Sequence, residues 1–241
     1  MALSNDTHKQ SDQPVYVLHT QPFKETSLLV ELFSKQHGRI AAVAKGARRP
    51  RSAMRGMLQS FQLLDGTWSG KNELKTLHSL DWSAGLTMLN GEALMCGFYI
   101  NELLLRLLPR EDAHESLFQH YEEALQKLAN TSDLATTLRQ FELQLLQELG
   151  YAVPLLQDEN DQLIEADKTY RYEAEYGACE LKSTKNGVQL QGKTLLDMAK
   201  NDYVDMQTQT QSKQLMRYLL AHYLGDKPLH TRQLLIDLQG L

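Results

Sequence analysis

The hydrophobic period of this chain first changes near residue 84, and that change divides what it can fold into. Before it, apolar runs are short and separated by turn residues: "PVYVLHT" (14–20), "SLLVELFS" (27–34), "RIAAVAKG" (39–46), "MLQSFQLLDG" (57–66) and "NELKTLHSLDW" (72–82). In the second run Leu28, Val30 and Leu32 alternate with Leu29, Glu31 and Phe33. That is the period of two which sends neighbouring side chains to opposite faces of a strand. Five such strands predict a small antiparallel barrel or sandwich, and five is the strand number of an OB-fold. After the change the period is helical. "GEALMCGFYINELLLRLL" (91–108) is apolar on most sides and stops at Pro109. Leu117, Phe118, Tyr121, Leu125 and Leu128 recur at i, i+3, i+4 spacing, and the run 131–150 opens on Ser132 and Asp133 and stops at Gly150. Residues 151–190 return to an extended polar pattern that predicts hairpins around Asn186-Gly187, and helical runs resume at 193–203 and 208–224, before "TRQLLIDLQGL" (231–241). The expected fold is α+β. A polar, disordered tail (1–13) precedes an N-terminal five-stranded OB-fold barrel (14–80). A mainly helical domain (81–241) follows, with a small β-hairpin insertion.

The formal net charge of −5 hides an asymmetry. Residues 1–80 hold 11 Lys and Arg against 6 Asp and Glu, whereas residues 81–241 hold 14 against 24. A basic first third joined to an acidic remainder suggests two modules with different partners. The apolar stretches are too short and too polar to span a bilayer, and the N-terminus has no apolar signal core. Two cysteines without a pairing pattern suit a reducing cytosol, so the expected location is cytoplasmic.

Five of the eleven Lys and Arg in residues 1–80 gather in "AKGARRPRSAMRG" (44–56). With Arg39 ahead of it, the segment carries Lys45, Arg48, Arg49, Arg51 and Arg55 and not one acid. Three readings compete. A solvated loop is the bland one. A nucleotide-phosphate loop lacks the G-x-x-x-x-G-K-[ST] and G-x-G-x-x-G patterns. A nucleic-acid backbone site fits best, because neutralised phosphates release condensed counterions and an OB barrel with a cationic rim is a design of single-strand binders. Lys71 and Lys75, in the following hairpin, could extend such a groove. Phe61 and Trp68 are the candidate stacking residues, with core packing as the competing role for each.

These residues also carry a family resemblance. "KETSLLVELFSKQHGRIAAVAKGARRPRS" (24–52) resembles the N-terminal region of RecO, a bacterial recombination-mediator family. The likeness continues through "LKTLHS" (74–79), "GFYINELLLRLL" (97–108), "LRQFELQLLQELGY" (138–151), "TYRY" (169–172) and "KPLHTRQLL" (227–235). It implies an N-terminal OB-fold followed by a helical domain, binding of single- and double-stranded DNA, and annealing of complementary strands. It also implies joint action with RecR in loading the recombinase RecA onto strands coated by single-stranded DNA-binding protein, and association with the nucleoid. One departure matters. Many members carry a CxxC…CxxC zinc module after the helices, but here residues 151–190 hold only Cys179 and no histidine, too few ligands for a tetrahedral zinc. That region is read as a degenerate, zinc-free hairpin holding itself by strand pairing alone, with Cys179 a plain strand residue.

The run 134–149 carries two stripes. Leu134, Leu138, Phe141, Leu145 and Leu149 form the usual core stripe, and Arg139, Leu143 and Leu146 form a second, roughly 120° away. The second stripe either packs on another helix, with Arg139 reaching water, or forms an apolar groove with a guanidinium at its edge. Such a groove would suit an acidic peptide ending in a large apolar residue and a free carboxylate. The resemblance implies that it receives the acidic C-terminal tail of single-stranded DNA-binding protein, with Arg139 as the carboxylate partner. No ligand-spaced histidine pair, nucleophile elbow or paired-carboxylate context is present, so neither a metal, a cofactor nor an enzymatic activity is expected. Three alternatives stay open: an RNA-binding OB protein, a pure interaction scaffold, and a metal-dependent nuclease.

Overall fold

In the computed structural model, which describes residues 8–85, 87–151, 153–181, 187–225 and 227–231, the first strand is the longest. β1 (Lys9–Phe23) is followed by β2 (Ser27–Ser34), β3 (Gly38–Ala44), the short helix α1 (Met54–Met57), β4 (Leu64–Ser69) and β5 (Leu74–Trp82). The strands close a barrel in the order β1-β2-β3-β5-β4. β1 makes closure possible by serving two partners. Its first half pairs with β4 from Lys9 to Val15, and its second half pairs with β2 from Val15 to Phe23. Irregularities at Gln10/Gln13 and Val17/His19 bend it between the two. All pairings are antiparallel except β3–β5, where Ala41–Ala44 runs parallel to Leu74–Leu77. This is the five-stranded OB barrel.

Two boundaries differ from the expectation. Residues 9–13 belong to β1 and not to the tail, because their polar side chains sit on a strand whose backbone is needed by β4. The fourth strand lies at 64–69 and not 57–66. Met57 and Leu58 pack against the barrel core from outside any strand, and Phe61 is held at φ 69°, where no strand residue sits. Their apolar character mimics a strand while serving as a plug.

Inside the barrel Val15, Val30, Leu32, Ile40, Leu64 and Leu77 are at most 2% exposed. The outer face of β1 and β2 is also covered. Tyr16 and Phe33 meet Phe118 and Tyr121 of α3 (Glu115–Asn130) at ring separations of 5.0–6.0 Å. Asn101 of α2 (Gly91–Leu107) donates to the Leu18 carbonyl at 3.0 Å and accepts from the Tyr121 hydroxyl at 2.7 Å. The stripe Leu117, Phe118, Tyr121, Leu125 and Leu128 is buried as its spacing predicts. Consequently the chain divides into compact units elsewhere than at residue 80. One unit runs to Asn130 and includes the stretch from Leu229; the other is Thr131–Pro228.

The second unit contains α4 (Leu134–Glu148), β6 (Thr169–Glu173), β7 (Gly177–Glu180), β8 (Val188–Gln191), α5 (Gly192–Ala199) and α6 (Met206–Leu224). Asp133 caps α4 by accepting from the Thr136 amide at 3.0 Å. β6 is the centre of a three-stranded sheet, β7-β6-β8. The tight hairpin is therefore β6–β7, ending at Gly177. The expected Asn186 turn joins strands that do not pair with each other, and Asn186 itself lies outside the described residues. Strand pairing is not the sheet's sole support. The Tyr223 hydroxyl of α6 donates to the Ala174 carbonyl at 3.2 Å, and Tyr151 stacks on Tyr223 at 3.9 Å. Cys179 is a buried β7 residue. No helix among the described residues is long and apolar enough to cross a membrane. The C-terminal run 232–241 lies outside the described residues.

Candidate nucleic-acid interface

Beyond Ala44 the chain leaves β3 through a ladder of single turns. Arg49 N–H donates to the Gly46 carbonyl at 3.0 Å, Ser52 N–H to Arg49 at 3.1 Å, and Arg55 N–H to Ser52 at 3.2 Å, delivering the chain to α1. Gly46 starts the ladder at φ 69°, a conformation that side chains beyond glycine seldom take. Ala47, fully buried, anchors one side, while Met54, Met57 and Leu58 pack against the barrel core. Because the apolar residues turn in, the cations turn out: Lys45, Arg48, Arg49, Arg51 and Arg55 are all exposed.

Arg48 does double duty. Its backbone amide donates to the Thr26 carbonyl at 2.9 Å and its guanidinium to the Glu25 carbonyl at 3.2 Å. These bonds fasten the basic segment to the β1–β2 turn and bring Lys24 to the same barrel end. The Lys24 ammonium lies 5.5 Å from the Phe23 ring centre. Lys24 is a rim cation that the charge run did not reveal, since it is twenty-one residues ahead of Lys45 and only the fold joins them. Glu25, also exposed, is the acid that accompanies it.

The other expected contacts are placed differently. Arg39 is turned inward. It donates to the Leu105 carbonyl near the C-terminus of α2 at 2.7 Å and lies 3.7 Å from the Glu31 carboxylate, which Arg110 also contacts. Burial pulls the Arg39 guanidinium below its ordinary pKa, with Glu31 opposing. Lys71 precedes β5, and Lys75 pairs with Ala42, two residues or about 7 Å back along β3 from Ala44, where the basic segment begins. Lys71, Lys75, His37, Trp68, Gly70 and Glu111 line part of a cleft of ≈ 470 Å³. Lys75 is largely buried, with its ammonium 2.9 Å from the Glu111 carboxylate. Burial lowers the His37 pKa; Glu111 works against that shift and Lys75 adds to it. Lys75 is thus engaged by Glu111, whereas Lys71 is exposed. Phe61 and Trp68 are 5% and 2% exposed, so both are core residues.

In the second unit Leu143 and Leu146 are 5% and 0% exposed, packed and not open as a groove. Arg139 donates to Glu142 at 2.6 Å, while its Nε and Nη1 are buried without a hydrogen-bond partner. Tyr203 lies near this pair; burial raises its hydroxyl pKa to about 12, Arg139 lowering it and Glu142 raising it. No cluster of three or more potential metal ligands occurs among the described residues.

Comparison with known proteins agrees over nearly the full length. A family model described as "Recombination protein O N terminal" matches residues 9–86, and one described as "Recombination protein O C terminal" matches residues 88–233. The DNA repair protein RecO of Nitrosospira multiformis is 53% identical, covering 98% of this chain and 99% of that protein. Those of Dechloromonas aromatica and Azoarcus sp. are 49% and 47% identical, covering 97% and 95% of this chain and 98% and 96% of their own lengths.

Proposed function

The chain belongs to the recombination protein O family of DNA repair proteins, and from that premise we propose that it is a recombination mediator whose basic barrel rim holds DNA backbones. The observation that carries the proposal is the rim: five exposed cations on a segment without acids, held in place by an apolar plug beneath them. Lys24 makes the sixth. Such a surface lowers the repulsion between two phosphate backbones at once, which is what annealing complementary strands requires. Because backbone contacts carry little base information, both single- and double-stranded DNA are accepted. No bond chemistry is assigned to the protein in this role. It acts with RecR, promotes RecA loading on strands covered by single-stranded DNA-binding protein, and works in the cytoplasm at the nucleoid.

The tail of single-stranded DNA-binding protein is proposed to dock on the helical part. Arg139 stays the proposed carboxylate ligand; because its Nε and Nη1 are buried and its Nη2 is bound to Glu142, docking requires the side chain to turn outward. Leu143 and Leu146 are dropped as open lining because they are packed away.

The test of DNA binding is anisotropy of a labelled oligonucleotide over a salt series. Arg49, Arg51 and Arg55 are replaced together by Ala, sparing Arg48 because it also fastens the segment to the β1–β2 turn. With about 0.7 per phosphate contact on single strands, losing three contacts should flatten the slope of log K against log[salt] by roughly 2. An unchanged slope removes the rim as the DNA site.

A further inference from the structure

We propose that Trp82 is a base-stacking platform for single-stranded DNA at the basic end of the barrel. This rests on the DNA-binding reading above and deepens it. Backbone contacts alone hold duplex and single strand alike, whereas exposed bases can also stack on an aromatic ring. Neither stacking candidate from the sequence can serve, since Phe61 and Trp68 are buried. Trp82, by contrast, is 41% exposed.

Its position follows from the register. Leu64 pairs with Trp82, Asp65 with Asp81 and Gly66 with Leu80. Paired residues share a face, and Leu64 and Leu80 point into the barrel. Trp82 therefore keeps the inward parity but stands at the last position of β5, where the strand leaves the barrel and the core ends. The basic segment reaches the same strand: Met54, Met57 and Leu58 pack on the barrel core, to which Leu77 and Leu80 belong, and α1 packs against β5. Arg55 is exposed on α1, the helix that packs against the strand bearing Trp82. Asp65 and Asp81 lie on the opposite parity, on the outer face of the sheet. They repel phosphates there and leave the α1 side as the approach. A strand whose backbone follows the rim cations can thus lay a base on Trp82. A duplex, with its bases already stacked, cannot.

The chain's tryptophan content makes the test direct. It has two tryptophans, one buried and one exposed. Intrinsic fluorescence is followed while the full chain is titrated with a short oligothymidylate, and separately with the same strand annealed to its complement. Anisotropy of a labelled strand reports binding in parallel. The expected result is strong quenching by the single strand and little by the duplex. Trp82→Phe should lose most of the quenching while keeping nearly all of the affinity, since a ring remains. Trp82→Ala should weaken single-strand binding roughly 5-fold or more, with duplex affinity unchanged within about twofold. The emission of buried Trp68 checks that each variant keeps its barrel. If anisotropy shows binding but the wild type is not quenched, or if Trp82→Phe is quenched as before, the platform is wrong while the DNA-binding reading stands. If no binding occurs, both fall.

Discussion

Arg39 and Arg48 come from the same acid-free run, yet one is a structural strut and the other sits on the surface. Arg39 lies within β3, where parity fixes its side, whereas Arg48 lies beyond β3 in the turn ladder. Arg39 pairs with Phe33 and lies diagonal to Glu31 on the outer face of β2–β3, within reach of that carboxylate. Replacing Arg39 by Ala leaves the Leu105 carbonyl without this donor and Glu31 with Arg110 as its remaining arginine. The expected cost is about 2–4 kcal/mol in urea unfolding, with the salt slope of DNA binding unchanged. A changed slope with unchanged stability would return Arg39 to the DNA surface. Gly38, one residue earlier, has φ 64°, and an added Cβ would stand 1.8 Å from the Asp112 carbonyl oxygen. Because that obstacle is backbone, Gly38→Ala should destabilise by more than about 2 kcal/mol, read from the same unfolding curves. Both roles were partly legible. The two runs 27–34 and 39–46 already implied a hairpin, and the Glu31–Arg39 diagonal follows from it. Charge counting alone could not separate a cation that faces a carboxylate from one that faces water.

The elements were most readable where one face was apolar and the other wet. α3 and β2 follow their period closely, because a single buried face dictates it. β4 was displaced because "MLQSFQ" buries apolar residues without forming a strand, and a plug and a strand leave the same composition. α4 looked like a helix with a spare groove, but Leu143 and Leu146 are packed; a second apolar stripe reads the same whether a partner or the protein itself covers it. One attachment was invisible to pattern altogether. Glu102 of α2 accepts from the His230 amide at 2.7 Å, the Thr231 amide at 2.9 Å and the Thr231 hydroxyl at 2.6 Å, a contact more than 120 residues away in sequence. Burial alone would raise the pKa of this carboxyl, but those three bonds outweigh it and hold Glu102 below its ordinary value of 4.5. A group whose pKa is depressed by folding stabilises the fold above its unfolded pKa and loses that contribution as pH falls through the folded value. Protection of the His230 and Thr231 amides from hydrogen exchange should therefore fall as the pH drops below 4.5 and through the lowered pKa of Glu102. Glu102→Gln should lower it roughly tenfold at neutral pH and abolish the acid dependence. Equal protection in the two proteins would mean that other contacts hold residues 229–231.

At the scale of the whole molecule, the family boundary and the physical boundary do not coincide. The N-terminal family model ends at residue 86, where the barrel strands are complete, but the compact unit continues to Asn130. The reason is the outer face of β1 and β2. An OB barrel that bound its ligand on that face would leave it open, whereas here Tyr16, Leu18 and Phe33 are at most 4% exposed, with α2 and α3 as cover. This is why the proposed DNA surface is the end of the barrel that carries the basic segment and not its side. Uncovering three such side chains costs on the order of 4.5–9 kcal/mol, at roughly 1.5–3 kcal/mol each, which is comparable with the whole stability of a small domain. A chain ended after residue 86 should accordingly lose cooperative unfolding and bind an apolar dye, while one ended after Asn130 should still unfold in a single transition. If the shorter chain unfolds as cooperatively as the longer one, the barrel is an independent domain and α2–α3 are an attachment to it. Their cover would then be free to move, and the outer face of β1 and β2 would become available to DNA.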